Sequence, residues 1–148
     1  GFRLNGATLN DLFVDTDTSA IVFNNVRIPR GRLELMDITA GSVTPGGLIS
    51  IKETNVTRVV ISGDFDHIGS PNGESPIYIQ ANGVTDEIIL EDFIASDITG
   101  LEGGLFNVRY SNTDQNPPDI TIRNGTVNGA HANKGGVAFF KTTGNPFQ

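Results

Sequence analysis

Apolar residues recur with a period of two through four short segments, placing Leu33/Leu35, Val59/Ile61, Ile88/Leu90 and Ile120/Ile122 on one side of an extended chain. Each segment runs into residues that tolerate tight turns: Asp37, Gly63-Asp64, Asp92 and Asn124-Gly125. The tetrad Leu35-Met36-Asp37-Ile38 returns as Leu9-Asn10-Asp11-Leu12 and Leu90-Glu91-Asp92-Phe93, and in longer form from Ile61 and from Ile122. These anchors are spaced 26, 26, 29 and 32 residues apart. Beyond the turn, a second strand is predicted to open inward with Leu12, Ile38, Phe65, Phe93 and Val127. Small residues follow at Ala40, Ala95 and Gly129, with His67 in the equivalent position.

A third pattern keeps the same beat. Ile21, Leu48, Ile77, Leu105 and Val137 recur ahead of the next anchor, and Gly46-Gly47, Pro76, Gly103-Gly104 and Gly135-Gly136 stand before four of them. Aligning these five predicts a third strand with Ile21/Phe23, Leu48/Ser50, Ile77/Ile79, Leu105/Asn107 and Val137/Phe139 inside. Two markers in one register predict an all-β solenoid, a parallel β-helix of about five coils with three strands per coil, forming a single domain over residues 1–148. The coils are too long and uneven for left-handed hexapeptide repeats, which favours the right-handed form. A β-sandwich also suits alternating strands and frequent turns, but it does not require the same residue type at the same point of each coil.

Composition agrees with a turn-rich β protein: 18 Gly, 7 Pro, no Cys and no Trp in 148 residues. The net charge of −7 argues against nucleic acid, whose phosphates call for a basic footprint. No apolar run approaches the ~18 residues of a membrane-spanning helix, so membrane insertion is not expected. The chain opens inside the repeat at Gly1-Phe2-Arg3-Leu4, and neither end offers a charged or helical cap. Two expectations follow: a segment of a longer solenoid, or open ends that stack on other subunits.

The run from Asp119 to Phe140, with Ile120-Thr121-Ile122 leading to Asn124 and later Gly135-Gly136-Val137-Ala138, resembles the coils of pectin-lyase-like right-handed β-helices. It is similar in style to repeats of secreted bacterial surface proteins and adhesins. The resemblance implies an extracellular or cell-surface location and a carbohydrate or adhesive role. For the family's enzymes it implies β-elimination of acidic polysaccharides by a basic residue, often with Ca²⁺. Lys52, Gln80, Arg109 and Tyr110 occupy equivalent places of successive coils and are the candidate carbohydrate-binding residues. No lyase motif accompanies them, and the acidic balance opposes a polyanionic substrate; catalytic residues are therefore not assigned.

The third-strand alignment also predicts an apolar outward stripe. Val22, Ile49, Tyr78, Phe106 and Ala138 fall outside, followed by Ile51, Val108 and Phe140 two residues on; Val60, Ile89 and Ile94 add to it. Such a stripe marks contact with protein, and Val22, Ile49, Ile51, Tyr78, Phe106, Val108 and Phe140 are its candidate contact residues. Self-association, end to end or lateral, is one partner; loops 69–76 and 111–118 folding across the stripe are the alternative. Tyr78, Phe106 and Phe140 also suggest a platform for sugar rings. Asp64-Phe65-Asp66-His67 has metal-ligating residue types, yet alternation sends them to opposite sides, and His67 is expected to be a hydrogen-bonded corner residue. Asp11 and Asp37, on neighbouring rungs, suggest a Ca²⁺ pair; solvated turn caps are the commoner use, so no metal site is assigned. Asn55 and Asn124 begin glycosylation sequons.

Overall fold

The computed structural model describes residues 1–112, 115–143 and 146–147. Among the described residues nine strands form one sheet wound into a parallel β-solenoid of about five turns. They are β1 (Phe2–Asn5), β2 (Thr8–Asn24), β3 (Arg27–Lys52), β4 (Asn55–Gly69), β5 (Ile77–Gln80), β6 (Val84–Glu102), β7 (Phe106–Tyr110), β8 (Asp119–Lys134) and β9 (Ala138–Thr142). Among the described residues the only helical element is one 3-10 turn, Ala81–Gly83. Strand β3 is a whole coil, and every ladder from β1 to β9 is parallel.

Three faces repeat. Face A stacks Leu4, Leu35, Ile61, Leu90 and Ile122 in one rung, with Leu33, Val59 and Ile88 in the rung before it. These residues are sealed in the middle coils, as the alternation predicted. Leu4, and not Leu9, is the first-coil partner of Leu35; Leu9 pairs with Ala40 on face B. The Leu-x-Asp-Leu tetrad near the start therefore lies one corner later than its look-alikes.

Face B solves a packing problem that the sequence disguises. The aligned pairs are Ile38/Ala40, Gly63/Phe65, Phe93/Ala95 and Gly125/Val127, so a large residue alternates from one rung to the other in successive coils. Phe65 thus occupies the Ala position, not the Ile38 position. A Cβ on Gly125 would lie 2.0 Å from the Phe93 ring, which shows that this glycine exists to admit the phenyl group. Coil three is also one residue shorter at the preceding corner, and the Ser62 hydroxyl accepts the Asp37 N–H at 2.9 Å, across the shortened turn.

The corners are held by left-handed residues. One ladder contains Gly6, Asp37, Asp92 and Asn124; the next contains Asp11, Ser42, His67, Asp97 and Gly129, all with φ between 49° and 80°. Asp and Asn enter this region with less cost than most residues because their short side chains bond locally. Asp11 and Asp37 thus stand in different ladders and are not register partners, contrary to the neighbouring rungs the sequence suggested. His67 is exposed, not tucked into the core, and its Nδ1 lies 2.7 Å from Asp97 Oδ2 in the adjacent coil.

Face C corrects the third-strand alignment. The rungs are Ile21, Ile49, Ile77, Phe106 and Ala138, then Phe23, Ile51, Ile79, Val108 and Phe140. Ile49, Ile51, Phe106 and Val108 are 0% exposed; they point inward and are not available to a partner or a sugar. The cause is a bulge: Leu48 and Ile49 both donate their N–H to Pro76 O, at 2.9 and 2.8 Å. Leu105 and Phe106 repeat it on Val137 O at 2.9 and 3.1 Å. The glycine-pair coils thus carry one extra residue before the strand, and Ser50 and Asn107 face outward.

Two stability predictions follow. Leu90→Asp places an unpaired charge in a sealed rung, a cost of several kcal/mol that consumes most of a domain's stability; native circular dichroism in this variant would contradict the register. Gly125→Ala should destabilise by about 1–3 kcal/mol in denaturant melts, as overpacking does. Adding Phe93→Leu should recover part of that loss, and strictly additive effects would contradict the face B packing.

Candidate functional site

Face C carries the polar ladder that the sequence suggested, enlarged by one residue. Gln80, Arg109 and Lys141 are register partners on β5, β7 and β9, and Lys52 follows Ile51 into the same row on β3. Tyr110 does not belong to it: its side chain is 3% exposed, and its hydroxyl lies 3.1 Å and 3.2 Å from the Gln115 and Asn116 carbonyl oxygens. Strand alternation sends Arg109 outward and Tyr110 inward, where it tethers the loop that follows β7.

Two cations of the row, Lys52 and Arg109, already have partners. Lys52 Nζ lies 3.0 Å from Glu74 Oε1 and 5.0 Å from the centre of the Tyr78 ring. Arg109 forms an ion pair with Glu102, whose other oxygen is 3.6 Å from Lys134 Nζ, and its guanidinium lies 5.7 Å from the Phe139 ring centre. Lys52 and Arg109 are thus bound to carboxylates on neighbouring segments, an arrangement that braces the face and opposes the recruitment of a uronate.

Segment 69–76, between β4 and β5, forms a wall over face C. The segment is pinned to three coils: Glu74 N–H donates to Thr16 O at 3.0 Å, Leu48 N–H to Pro76 O at 2.9 Å, Leu101 N–H to Gly73 O at 3.1 Å, and Ser75 Oγ to Gly103 O at 2.7 Å. The Ser75 hydroxyl also contacts the Glu102 carbonyl. Ser50 and Asn107 are 2% and 4% exposed although they point away from the core, and Asn107 shares the lining of one cleft with Gly73, Glu74 and Ser75. The chain thus folds back beside face C at this segment. Of the predicted contact residues, Val22 remains exposed and Tyr78 half-buried. Phe140, 42% exposed, belongs to the inward rung of the last coil and meets Phe106 edge-on at 5.7 Å between ring centres.

A cleft of about 320 Å³ opens between the wall and face C, lined by Asp17, Glu74, Tyr78, Leu101, Glu102, Asn107 and Arg109 among others. A second hollow of about 220 Å³ lies across Tyr78 and Arg109, towards Gln80, Asn82, Ser111 and Lys141. Among the described residues no three His, Cys, Asp or Glu side chains converge on a metal site. Glu74 and Asn107 were missed in the sequence reading; a loop residue brought back over the sheet leaves no periodic trace. Asn107 was legible, since placing Phe106 and Val108 inside sends it out.

Compared with known proteins, the chain matches no family model, no curated protein and no solved structure. The class rests on the ladder itself: a parallel β-solenoid with a loop-walled cleft on one face.

Ser75→Ala should loosen the wall. Loss of the buried hydroxyl leaves the Gly103 carbonyl short of a donor, at about 1–3 kcal/mol, and hydrogen exchange at Glu74 and Leu101 should accelerate. Unchanged exchange would show that the wall is held by other contacts.

Proposed function

We propose that this chain is a structural or adhesive β-helix element, a stalk, adhesin segment or filament subunit outside the cell, whose end coils stack on further coils. The observation that carries this reading is the state of the two end coils. In the first, Phe2 and Leu12 are 45% and 37% exposed; in the last, Ile122 and Val137 are 44% and 42% exposed, although their counterparts in the middle coils are sealed. Phe147 lies against Phe140 and Tyr110, with ring centres 6.2 and 6.5 Å apart, and covers one corner of the last coil. Among the described residues, β8 and β9 pair only on the side of β6 and β7, and β1 and β2 only on the side of β3. Among the described residues the end coils thus present unpaired strand edges around an apolar floor, the combination that a further strand layer, of this chain or of another, would cover.

The likeness of the Asp119 to Phe140 run to pectin-lyase-like right-handed helices of secreted surface proteins supports the extracellular setting. Burial of Ile49, Ile51, Phe106 and Val108 removes the lateral apolar stripe, so the protein contacts assigned here are axial. The carbohydrate alternative keeps one specific observation in its favour, the walled cleft on face C. The lyase form of it is opposed by the ion pairing of Lys52 and Arg109.

Purified chain should assemble with concentration into rods whose length grows in steps of roughly 24 Å, five coils at the interstrand spacing. Leu12→Lys and Ile122→Lys should each halt growth while leaving the circular dichroism native. A monomer at every accessible concentration, or rods unaffected by both substitutions, would overturn end stacking.

A further inference from the structure

The two end coils carry opposite charge. Strands β1 and β2 set Arg3 against Asp11, Asp15 and Asp17, whereas β8 and β9 set Arg123, Lys134 and Lys141 against Asp119. The chain as a whole stands at −7, so a cationic last coil runs against its composition. A first coil laid on a last coil meets opposite charge; two first coils, or two last coils, meet like charge and repel.

One further step along each ladder fixes where a second copy would land. On face A, its Phe2 and Leu4 come to Ile120 and Ile122; on face C, its Ile21 and Phe23 come to Ala138 and Phe140. On face B its Leu9 covers Val127, and its Ala7 comes to Gly125, whose side-chain space the Phe93 ring already fills. Leu12, 37% exposed, falls on the small Ala130. The outward columns agree. Thr8 meets Thr126 and Asn10 meets Asn128, pairs whose side chains can hydrogen-bond across adjacent strands. Arg3 comes to Thr121 and Asn24 to Lys141, so these columns superpose no like charges. Lys134, 3.6 Å from Glu102, sits at the corner where Thr16 O receives Glu74 N–H and Gly73 O receives Leu101 N–H, and the second copy brings Asp17 to it. Phe147, now against Phe140 and Tyr110, yields its place to Phe23 of that copy.

Given the end stacking proposed above, on which this inference rests, we propose that the covering layer is a second copy of this chain stacked head to tail, its first coil on the last coil of its neighbour in the register just given. Assembly is then polar and open-ended, because a contact between two unlike surfaces propagates unless a rotation closes it into a ring. Stacking of like ends would stop at a dimer.

The test is oxidative cross-linking, for which the cysteine-free chain is a clean background. Thr8 and Thr126 are exposed and stand outside the core. Within one chain they lie four rungs apart, about 19 Å at the interstrand spacing, too far for an internal disulfide. Across the junction they are adjacent-strand partners at about 4.8 Å, within disulfide reach. On mild oxidation Thr8→Cys/Thr126→Cys should give a ladder of covalent oligomers, while each single variant stays free over the same time. Asp17→Lys and Lys134→Glu should each weaken assembly about three- to tenfold, the scale of an exposed pair lost and reversed, and both together in one chain should recover growth. Rods whose single-cysteine variants cross-link into dimers, or whose double-cysteine variant does not cross-link, would overturn the head-to-tail register and leave end stacking intact. A monomer at every accessible concentration would overturn both, the covering layer then being another segment or another protein.

Discussion

No coil of this protein has a core of its own. The inward side chains of one turn are covered above and below by those at the same position in the adjacent turns, and everything else depends on keeping those positions matched. Parallel hydrogen bonding supplies the match along each face, because it sets Leu35 on Ile61 and Ile61 on Leu90 with no freedom to slide. The corners preserve it from one face to the next. A left-handed residue at each turn, Asp37 and Asp92 in one ladder and Asp11, Ser42, His67 and Asp97 in another, lets the chain change direction within a residue or two.

Matching positions does not demand matching residues. Face B shows the tolerance: volume is conserved across two rungs and two coils, so Phe93 fills the space that Gly125 vacates, and Phe65 compensates for Gly63. Outside the core the same stacking composes the surface. Residues far apart in sequence, such as Lys52, Gln80, Arg109 and Lys141, become a row, and a loop anchored to Thr16, Leu101 and Gly103 becomes one wall of a cleft.

That logic explains which features were legible in the sequence. Face A was, because Val, Ile and Leu recur there at every second position in four coils, whatever residue stands between them. The third-strand rungs were not read correctly, because Leu48-Ile49-Ser50-Ile51 and Leu105-Phe106-Asn107-Val108 each contain three apolar residues and admit two phases. The phase that turns Ser50 and Asn107 into the core keeps the glycine pairs aligned; the one adopted puts two large apolar residues there and absorbs the extra residue in a bulge. Filling the core with large apolar side chains outweighs preserving a count of residues. The polar surface of face C was half legible for the same reason: Arg109 and Gln80 follow from periodicity, whereas Glu74 reaches the face through a loop whose course only tertiary contacts determine.

The axial and lateral surfaces thus have different physical characters, apolar and edge-bearing at the ends, polar and ion-paired on face C. Both depend on the phase of the third strand. Because the chain has no cysteine, single cysteines at Ile51, Lys52, Val108 and Arg109 offer a direct reading of that phase through their rates of thiol labelling under native conditions. Rapid labelling at Lys52→Cys and Arg109→Cys, with Ile51→Cys and Val108→Cys protected until the chain unfolds, is the result this account predicts. The opposite pattern would contradict it, and would return the apolar stripe to the surface.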